Sequence, residues 1–238
     1  MTPVAAAICA VLTSTAADGE PPALRSERPR FAATARSAAA FVPPGWSLER
    51  VVQGDLNRDG RPDLAAIVKG ADPHCIVHID GNAEPLDTNP RVLIVAFGQA
   101  GGYRLQLANT AIIPRLDDRY MDDPLNPDAF VIRGDILRLG LGFWRSMGGW
   151  TTYTSTLSFR WDGRRLRLIG FDRESLQRNS GETETISANY LTARARITTG
   201  SMEDDVLDRT RWRPLVPRTD SLETIGDGLG FEPTLKPG

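Results

Sequence analysis

The sequence predicts an all-β domain, and three observations carry that expectation. Short β-branched runs of strand length recur along the chain, turn residues separate them, and no window of twelve or more residues shows a persuasive helical stripe. Leu48–Val52 and Leu64–Val68 flank a glycine turn, and Ile76–Ile79 and Val92–Phe97 have the same length and β-branched content. Tyr103–Leu107 places Tyr103, Leu105 and Leu107 on one face by period two. Ala129–Ile132 and Ile136–Leu141 flank Arg133, Gly134 and Asp135, which predicts a hairpin. The clearest hairpin runs from Tyr153 to Phe171. Tyr153, Leu157, Phe159 and Trp161 share one face, Thr154, Thr156, Ser158 and Arg160 the other, and Asp162-Gly163 supplies the pair that a two-residue type I′ turn requires. A short helix over Ser201–Asp208 is the one helical expectation. No repeat of fixed period is present.

Composition sets the class. The 238 residues are 41% hydrophobic and 24% charged, too apolar for wholesale disorder and sufficient for one domain or two small ones. The balance of 28 basic against 30 acidic residues, a net −2, removes the main argument for a nucleic-acid partner. All basic residues except Lys69 and Lys236 are arginines, which reads first as codon usage.

Residues 1–17 carry no charge and one apolar stretch, and end in the small residues Thr15, Ala16 and Ala17. They are similar to the hydrophobic region and cleavage site of a secretory signal, which predicts export to the periplasm. The stretch is too short for a membrane-spanning helix, and no later segment is long and apolar enough. A lipid anchor at Cys9 is disfavoured by Ile8, which stands where a small residue should precede the modified cysteine. Residues 18–40 are rich in Ala, Pro, Arg and Ser, and read as a disordered tether. The domain is expected over residues 41–238. Once the signal is removed, Cys75 is the only cysteine, so no intrachain disulfide forms and another staple is needed.

Residues 54–64 offer that staple. Oxygen side chains fall at loop positions 1, 3, 5 and 9 (Asp55, Asn57, Asp59, Asp63), Gly60 sits at the sharp turn of position 6, and Arg61 offers its carbonyl at position 7. This is the ligand spacing of an EF-hand-type calcium loop. Ala66 replaces the bidentate glutamate of position 12, and the flanks are strands. The open sphere predicts a structural calcium site with affinity on the order of 10⁻⁴–10⁻³ M. The competing expectation is a metal-free turn, since Asn-Arg-Asp-Gly is good turn chemistry by itself.

Other constellations are weaker. His74 and His78 bracket Cys75, but strand positions four apart lie about 13 Å apart and cannot share a zinc ion. Asp117, Asp118, Asp122 and Asp123 form a second cation site or a carboxylate catalyst only if they are not simply solvated. No serine-hydrolase elbow, phosphate-binding glycine loop or helical metalloprotease motif is present, so the chain is expected not to be an enzyme; an Asp-dependent hydrolase acting through Asp122 or Asp123 is the residual possibility. The segment 142–150, with Phe143, Trp144, Arg145, Ser146, Met147, Gly148, Gly149 and Trp150, has the composition of an interface hot spot. The competing expectation is a buried crossover whose aromatics complete the core.

The run Phe41-Val42-Pro43-Pro44-Gly45-Trp46, followed by the Gly54–Leu64 loop, resembles a family of exported bacterial proteins with a single FG-GAP-like calcium loop. Asp122-Asp123-Pro124, the loop ending at Trp150, Phe159 through Gly170 and Asn189-Tyr190-Leu191-Thr192 follow in that family's order. The resemblance covers residues 41–200 and implies a compact β-propeller-like or irregular β-barrel with bound calcium. The single acidic loop departs from many-bladed FG-GAP rings. Some members are similar to lysozyme inhibitors and serve as periplasmic immunity proteins against peptidoglycan-hydrolase effectors of type IV secretion systems. The resemblance implies an inhibitor, and the composition of the 142–150 loop makes Arg145, Ser146, Gly148, Gly149, Trp150 and the adjacent Tyr153 its expected contact residues, with Arg145 pairing a catalytic carboxylate of the hydrolase. The alternative is a calcium-stabilised module that binds the cell envelope or a glycan and inhibits nothing.

Overall fold

Strand follows strand through short turns, so most strands pair with a neighbour in sequence. The computed structural model describes residues 29–79, 84–203 and 207–237. In chain order the strands are β1 (Thr34–Ala35), β2 (Trp46–Gly54), β3 (Asp63–Gly70), β4 (Ile76–Val77), β5 (Leu86–Asp87), β6 (Arg91–Gln99) and β7 (Gly102–Asn109). They continue as β8 (Leu125–Arg133), β9 (Ile136–Phe143), β10 (Thr151–Trp161), β11 (Leu166–Gln177), β12 (Glu182–Asn189), β13 (Arg194–Ser201) and β14 (Arg209–Pro214). All pairings between them are antiparallel. A five-stranded sheet has the order β1-β7-β6-β3-β2, a seven-stranded sheet is the meander β14 to β8, and β4-β5 form a small ribbon. The protein is all-β, and neither large sheet closes into a barrel.

The two large sheets share one core. Ala65, Ile67, Leu93 and Val95 of the first meet Leu137, Leu139, Leu157, Phe159 and Phe171 of the second. The opposite face of the five-stranded sheet carries Leu64, Ala66, Val68, Val92, Ile94 and Ala96. Phe41 and the flanking Phe31, Val42 and Trp46 cover that face. Central strands β3 and β6 are thus buried on both sides, which explains why they read as unbroken apolar runs while β10 alternates.

That cover revises where folding begins. Residues 34–35 pair with Arg104 and Tyr103, and Phe31 packs on the second core, so the part of the expected tether over residues 29–40 belongs to the fold. Its Ala-rich composition hides this because the pairing is with a strand about seventy residues away. The expected secretory segment over residues 1–17, with Cys9, lies outside the described residues.

The hairpin expectations hold with one change of turn. Arg133 pairs with Ile136 around Gly134, whose φ is +61°. At the second hairpin Asp162 N–H donates to the Arg165 carbonyl, so the central pair is Gly163-Arg164, not Asp162-Gly163. Positive φ falls on Gly163 (+96°) and not on Arg164, the type II′ pattern rather than type I′. The Asp162 carboxylate caps the turn by accepting from the Arg164 and Arg165 amides, each at 2.9 Å. In β7 a bulge opposite Val95 and Ala96 breaks period two. Tyr103 and Leu105 face the second core, and Leu107 faces the shared one. The Ser201–Asp208 helix does not form where it is described: Ser201 ends β13, and residues 204–206 lie outside the described residues.

The tail beyond β14 is part of the core. Leu215, Leu222, Ile225, Leu229 and Phe231 are buried in the shared cluster. Arg173, itself buried, holds this strap: it donates to the carbonyls of Leu229 (3.0 Å) and Phe231 (2.8 Å) and to Ser155 Oγ (2.9 Å), and pairs with Glu232.

Candidate functional site

The acidic loop between β2 and β3 is a chain of side-chain-capped turns. Asp55 accepts from the amides of Asp59 (3.1 Å) and Gly60 (2.9 Å), Asn57 from Asp59 (2.9 Å), and Asp59 from Arg61 (2.9 Å). Arg58 at φ +61° and Gly60 at φ +82° close the bend, and Arg58 reaches the other sheet through an ion pair with Asp135 at 2.5 Å. Asp63 differs from the rest. It is fully buried, one carboxylate oxygen accepts from Leu56 and Asn57, and the other accepts from Gly98 on β6 at 2.8 Å. Gly98 is required there because a Cβ would stand 2.4 Å from the Pro62 carbonyl. Burial pushes the Asp63 carboxyl up from its ordinary value, against the three amides and despite the lowering they exert.

The fit to a calcium ion is therefore uneven. Asp55, Asn57 and Asp59 line the accessible side of the loop and keep unused lone pairs after their amide bonds. Arg61 holds the carbonyl position beside them. Asp63 is turned inward, and its lone pairs are largely committed to three amides. Among the described residues, no three Asp, Glu, His or Cys side chains converge as a metal cluster.

The aromatic loop between β9 and β10 stands on a built frame. Ser146 N–H donates to the Tyr120 carbonyl (2.8 Å), and Asp122 N–H donates to that of Trp144 (3.1 Å). Arg145 pairs with Asp118 at 2.6 Å. From the end of β11, Arg178 donates to the carbonyls of Arg145 (2.6 Å) and Gly149 (2.8 Å) and lies 5.0 Å from the Trp144 ring. On this frame Trp150 is 62% exposed, Met147 58% and Trp144 37%. The loop is thus no buried crossover. It presents apolar side chains to solvent from a fixed backbone, with Gly148 at φ +84° against the Arg145 guanidinium.

The candidate residues do not all share that surface. Trp150, Gly148 and Gly149 stand at the tip, with Ser146 and Arg145 at its base. Arg145 already holds an intramolecular carboxylate, so a free arginine poised for a partner's acid is absent. Tyr153 turns inward, stacking on Phe143 at 4.9 Å and lying under Arg173 at 4.4 Å. Sequence reasoning missed Arg178, and no local pattern marks it: it lies 28 residues from Trp150, to whose carbonyl it donates.

The other candidates are spent or dispersed. Asp123, with Glu49, clamps the buried guanidinium of Arg91 through bonds of 2.6–2.8 Å, and Asp118 holds Arg145. These two acids act as braces, Asp123 while still partly exposed to solvent. His74 accompanies Asp72 on the surface at 2.9 Å, while Cys75 is buried. At the far end of the seven-stranded sheet, Glu182, Glu184, Thr199 and Arg209 line an open groove of about 1020 Å³. No helix among the described residues is long and apolar enough to cross a membrane. Compared with protein-family models, curated proteins and solved structures, the chain matches none.

Proposed function

We propose that this chain is an exported, periplasmic binding protein without catalytic activity of its own, and that it inhibits a peptidoglycan hydrolase of the lysozyme class as an immunity protein. The observation that carries a binding role is the exposed Trp144–Met147–Trp150 tip on a backbone fixed by Arg178, Asp118 and Tyr120. Large apolar side chains held without internal mobility lose little entropy on docking, and such anchors carry most of the free energy of an interface. The hydrolase as partner, and any propeller-like character of the fold, rest on the family resemblance. In this reading Trp150 and Met147 enter the partner's cleft. Arg145 and Asp118 hold the base of the loop, and Arg145 turns to a partner carboxylate only by exchanging one acid for another. Calcium is part of the same reading, held by Asp55, Asn57, Asp59 and the Arg61 carbonyl, with Asp63 fixing the loop from inside. A bound ion would neutralise the crowded carboxylates between β2 and β3.

The test titrates the full mature chain, with calcium present, into a panel of muramidases and chitinase-like hydrolases that includes those of the source organism. Stoichiometric inhibition of one enzyme is expected, and Trp150→Ala should weaken it by about 30-fold, the 2 kcal/mol typical of a hot-spot anchor. Inhibition that survives Trp150→Ala and Met147→Ala unchanged would overturn the site. Binding to peptidoglycan itself with no enzyme inhibited would replace the immunity reading by an envelope-binding module.

A further inference from the structure

The net charge of −2 hides a separation along the strands of the second sheet. At one end β9 leaves and β10 enters the aromatic loop, and exposed carboxylates collect there. Asp117 and Asp122 stand beside the loop, and Glu182, Glu184 and Asp208 line the groove. At the other end lie the β8–β9 and β10–β11 turns, and arginine dominates. Strand β10 is 11 residues long, so the two ends stand about 33 Å apart.

Register places these arginines together. Arg133 on β8 stands opposite Ile136 on β9, Ile136 opposite Arg160 on β10, and Arg160 opposite Arg167 on β11. Leu137, Phe159 and Leu168, which alternate with this row, are buried in the shared core, so the row faces away from it. Three strand spacings make the row about 14 Å wide. Arg138, two residues along β9 from Ile136, shares the face, and Arg164 stands exposed in the β10–β11 turn. Arg160 directly opposite Arg167 is a like-charge pair, an arrangement that destabilises a sheet.

The acids nearby do not balance this face. Asp135 is shared between Arg58 at 2.5 Å and Arg160 at 3.2 Å. Asp162 caps its own turn and stands 3.9 Å from Arg167, Asp220 is held by Arg218, and Glu223 accepts from the Leu166 amide. In the neighbouring loop Asp55 and Asp59 are bonded to that loop's own amides, beside Arg58 and Arg61. Among the described residues, no carboxylate pairs with Arg133, Arg138, Arg164 or Arg165.

A patch of one sign fits the opposite sign, and its shape selects among anions. These arginines occupy a sheet face and a turn, not the walls of a cleft, so they meet an extended array of charges. The exposed tryptophans of the described residues, Trp144, Trp150 and Trp212, are not beside the row, which leaves nucleic-acid bases nothing to stack on. We propose that this arginine face docks on an anionic phospholipid surface, with its guanidinium groups at the level of the phosphates. The opposite ends of the strands, and the aromatic loop with them, are then held away from the bilayer. The docking is peripheral and electrostatic, and it does not depend on the partner proposed for the loop.

The test is co-flotation of the full mature chain with vesicles of phosphatidylcholine alone, or of two parts phosphatidylcholine to one part phosphatidylglycerol. A chelator is present so that no divalent ion bridges protein and lipid. Binding is expected on the anionic vesicles only, and is lost as salt rises. Arg138→Gln with Arg164→Gln should weaken it about 25-fold, about fivefold for each basic residue near such a surface. The urea midpoint should not move, because both side chains are exposed. The same two positions changed to lysine should bind within about twofold of wild type. Arg209→Gln, at the far end of the sheet, changes the net charge without touching this face and should leave binding as it is. Equal flotation with both vesicles, none with the anionic ones, an equal loss per charge from Arg209→Gln, or tighter binding of a DNA duplex than of the vesicles would each overturn the proposal.

Discussion

The two large sheets are built to different ends, and the contrast shows where this protein keeps its fold and where it exposes surface. The five-stranded sheet is sealed on both faces at its central strands β3 and β6: by the shared core on one side and by Phe31, Phe41, Val42 and Trp46 on the other. The seven-stranded sheet has one face against the core and leaves the other to Thr154, Glu174, Asp172 and Arg196, all exposed. Even its inner face changes character along the strands. The paired row Leu139, Leu157, Phe171, Ala188 and Ala195 is buried, whereas the row Ser175, Glu184, Thr199 and Arg209 opens into the groove. The aromatic loop, the groove and the arginine row all belong to the second sheet. The exposed tip, the groove and the arginine row gather on the sheet that is left half covered, because its side chains are not all taken up by a second layer.

The largest effect should come from the core that the sheets share. Phe159 is fully buried between them, and Phe159→Ala should cost about 3–5 kcal/mol, read by urea unfolding. Phe41→Ala should cost less, because one short segment covers that side and can settle into the space vacated. Equal losses would mean that the two faces of the five-stranded sheet are equally rigid, and the contrast would need redrawing.

Next in size is the latch on the C-terminal strap. Arg173→Met keeps the bulk but leaves the carbonyls of Leu229 and Phe231 without their donor, at a cost of about 2–4 kcal/mol. Amide exchange should quicken over residues 221–232 before the β3–β6 core responds. Uniform quickening of both would show that the strap is no separate unit. By contrast, Trp150→Ala should change stability by less than about 0.5 kcal/mol, since that side chain is 62% exposed, while weakening the proposed inhibition about 30-fold. A large loss of stability at Trp150 would convert the proposed anchor into a core residue.

How much of this was legible in the sequence follows from how local each cause is. The β10–β11 strands were readable because alternation and turn chemistry act between neighbours; what was missed is the turn type, with Gly163 taking the first central place, the bulge that shifts the register between Ser158 and Phe159, and the extension of β11 to Gln177. The acidic loop was equally readable as a turn, since Asp55, Asn57 and Asp59 cap amides two to five residues away. The inward rotation of Asp63 was not, because it depends on Gly98 arriving from β6. Arg91 between Glu49 and Asp123, Arg178 under the aromatic loop and Tyr153 under Arg173 are long-range in the same sense. The tail was unreadable for another reason: Leu222, Ile225, Leu229 and Phe231 fit neither period two nor a helical stripe, because they plug a core already shaped by the strands.

A further small effect separates the two regions by the sign of a pH dependence. In the strap of the second sheet, Arg218 donates to both carboxylate oxygens of Asp220 (2.5 and 3.2 Å), and this holds the Asp220 carboxyl below its ordinary value, 3.8, against partial burial. The folded chain then binds that proton more weakly than the unfolded one. Its stabilisation is complete above about pH 4 and is lost as pH falls through the folded-state value. Asp63, under the loop of the first sheet, is displaced upward by burial, so its contribution has the opposite slope, present below about pH 4 and fading as pH rises through its folded-state value. The Asp220 pair is partly washed by solvent, so Asp220→Asn should cost less than about 1 kcal/mol at pH 7. The gap between wild type and Asp220→Asn, followed by urea unfolding from pH 7 down to pH 2, should close at the acid end. A gap that stays constant to pH 2 would mean that hydrogen-bond geometry, not charge, holds the strap at Arg218, leaving Arg173 as its one electrostatic anchor.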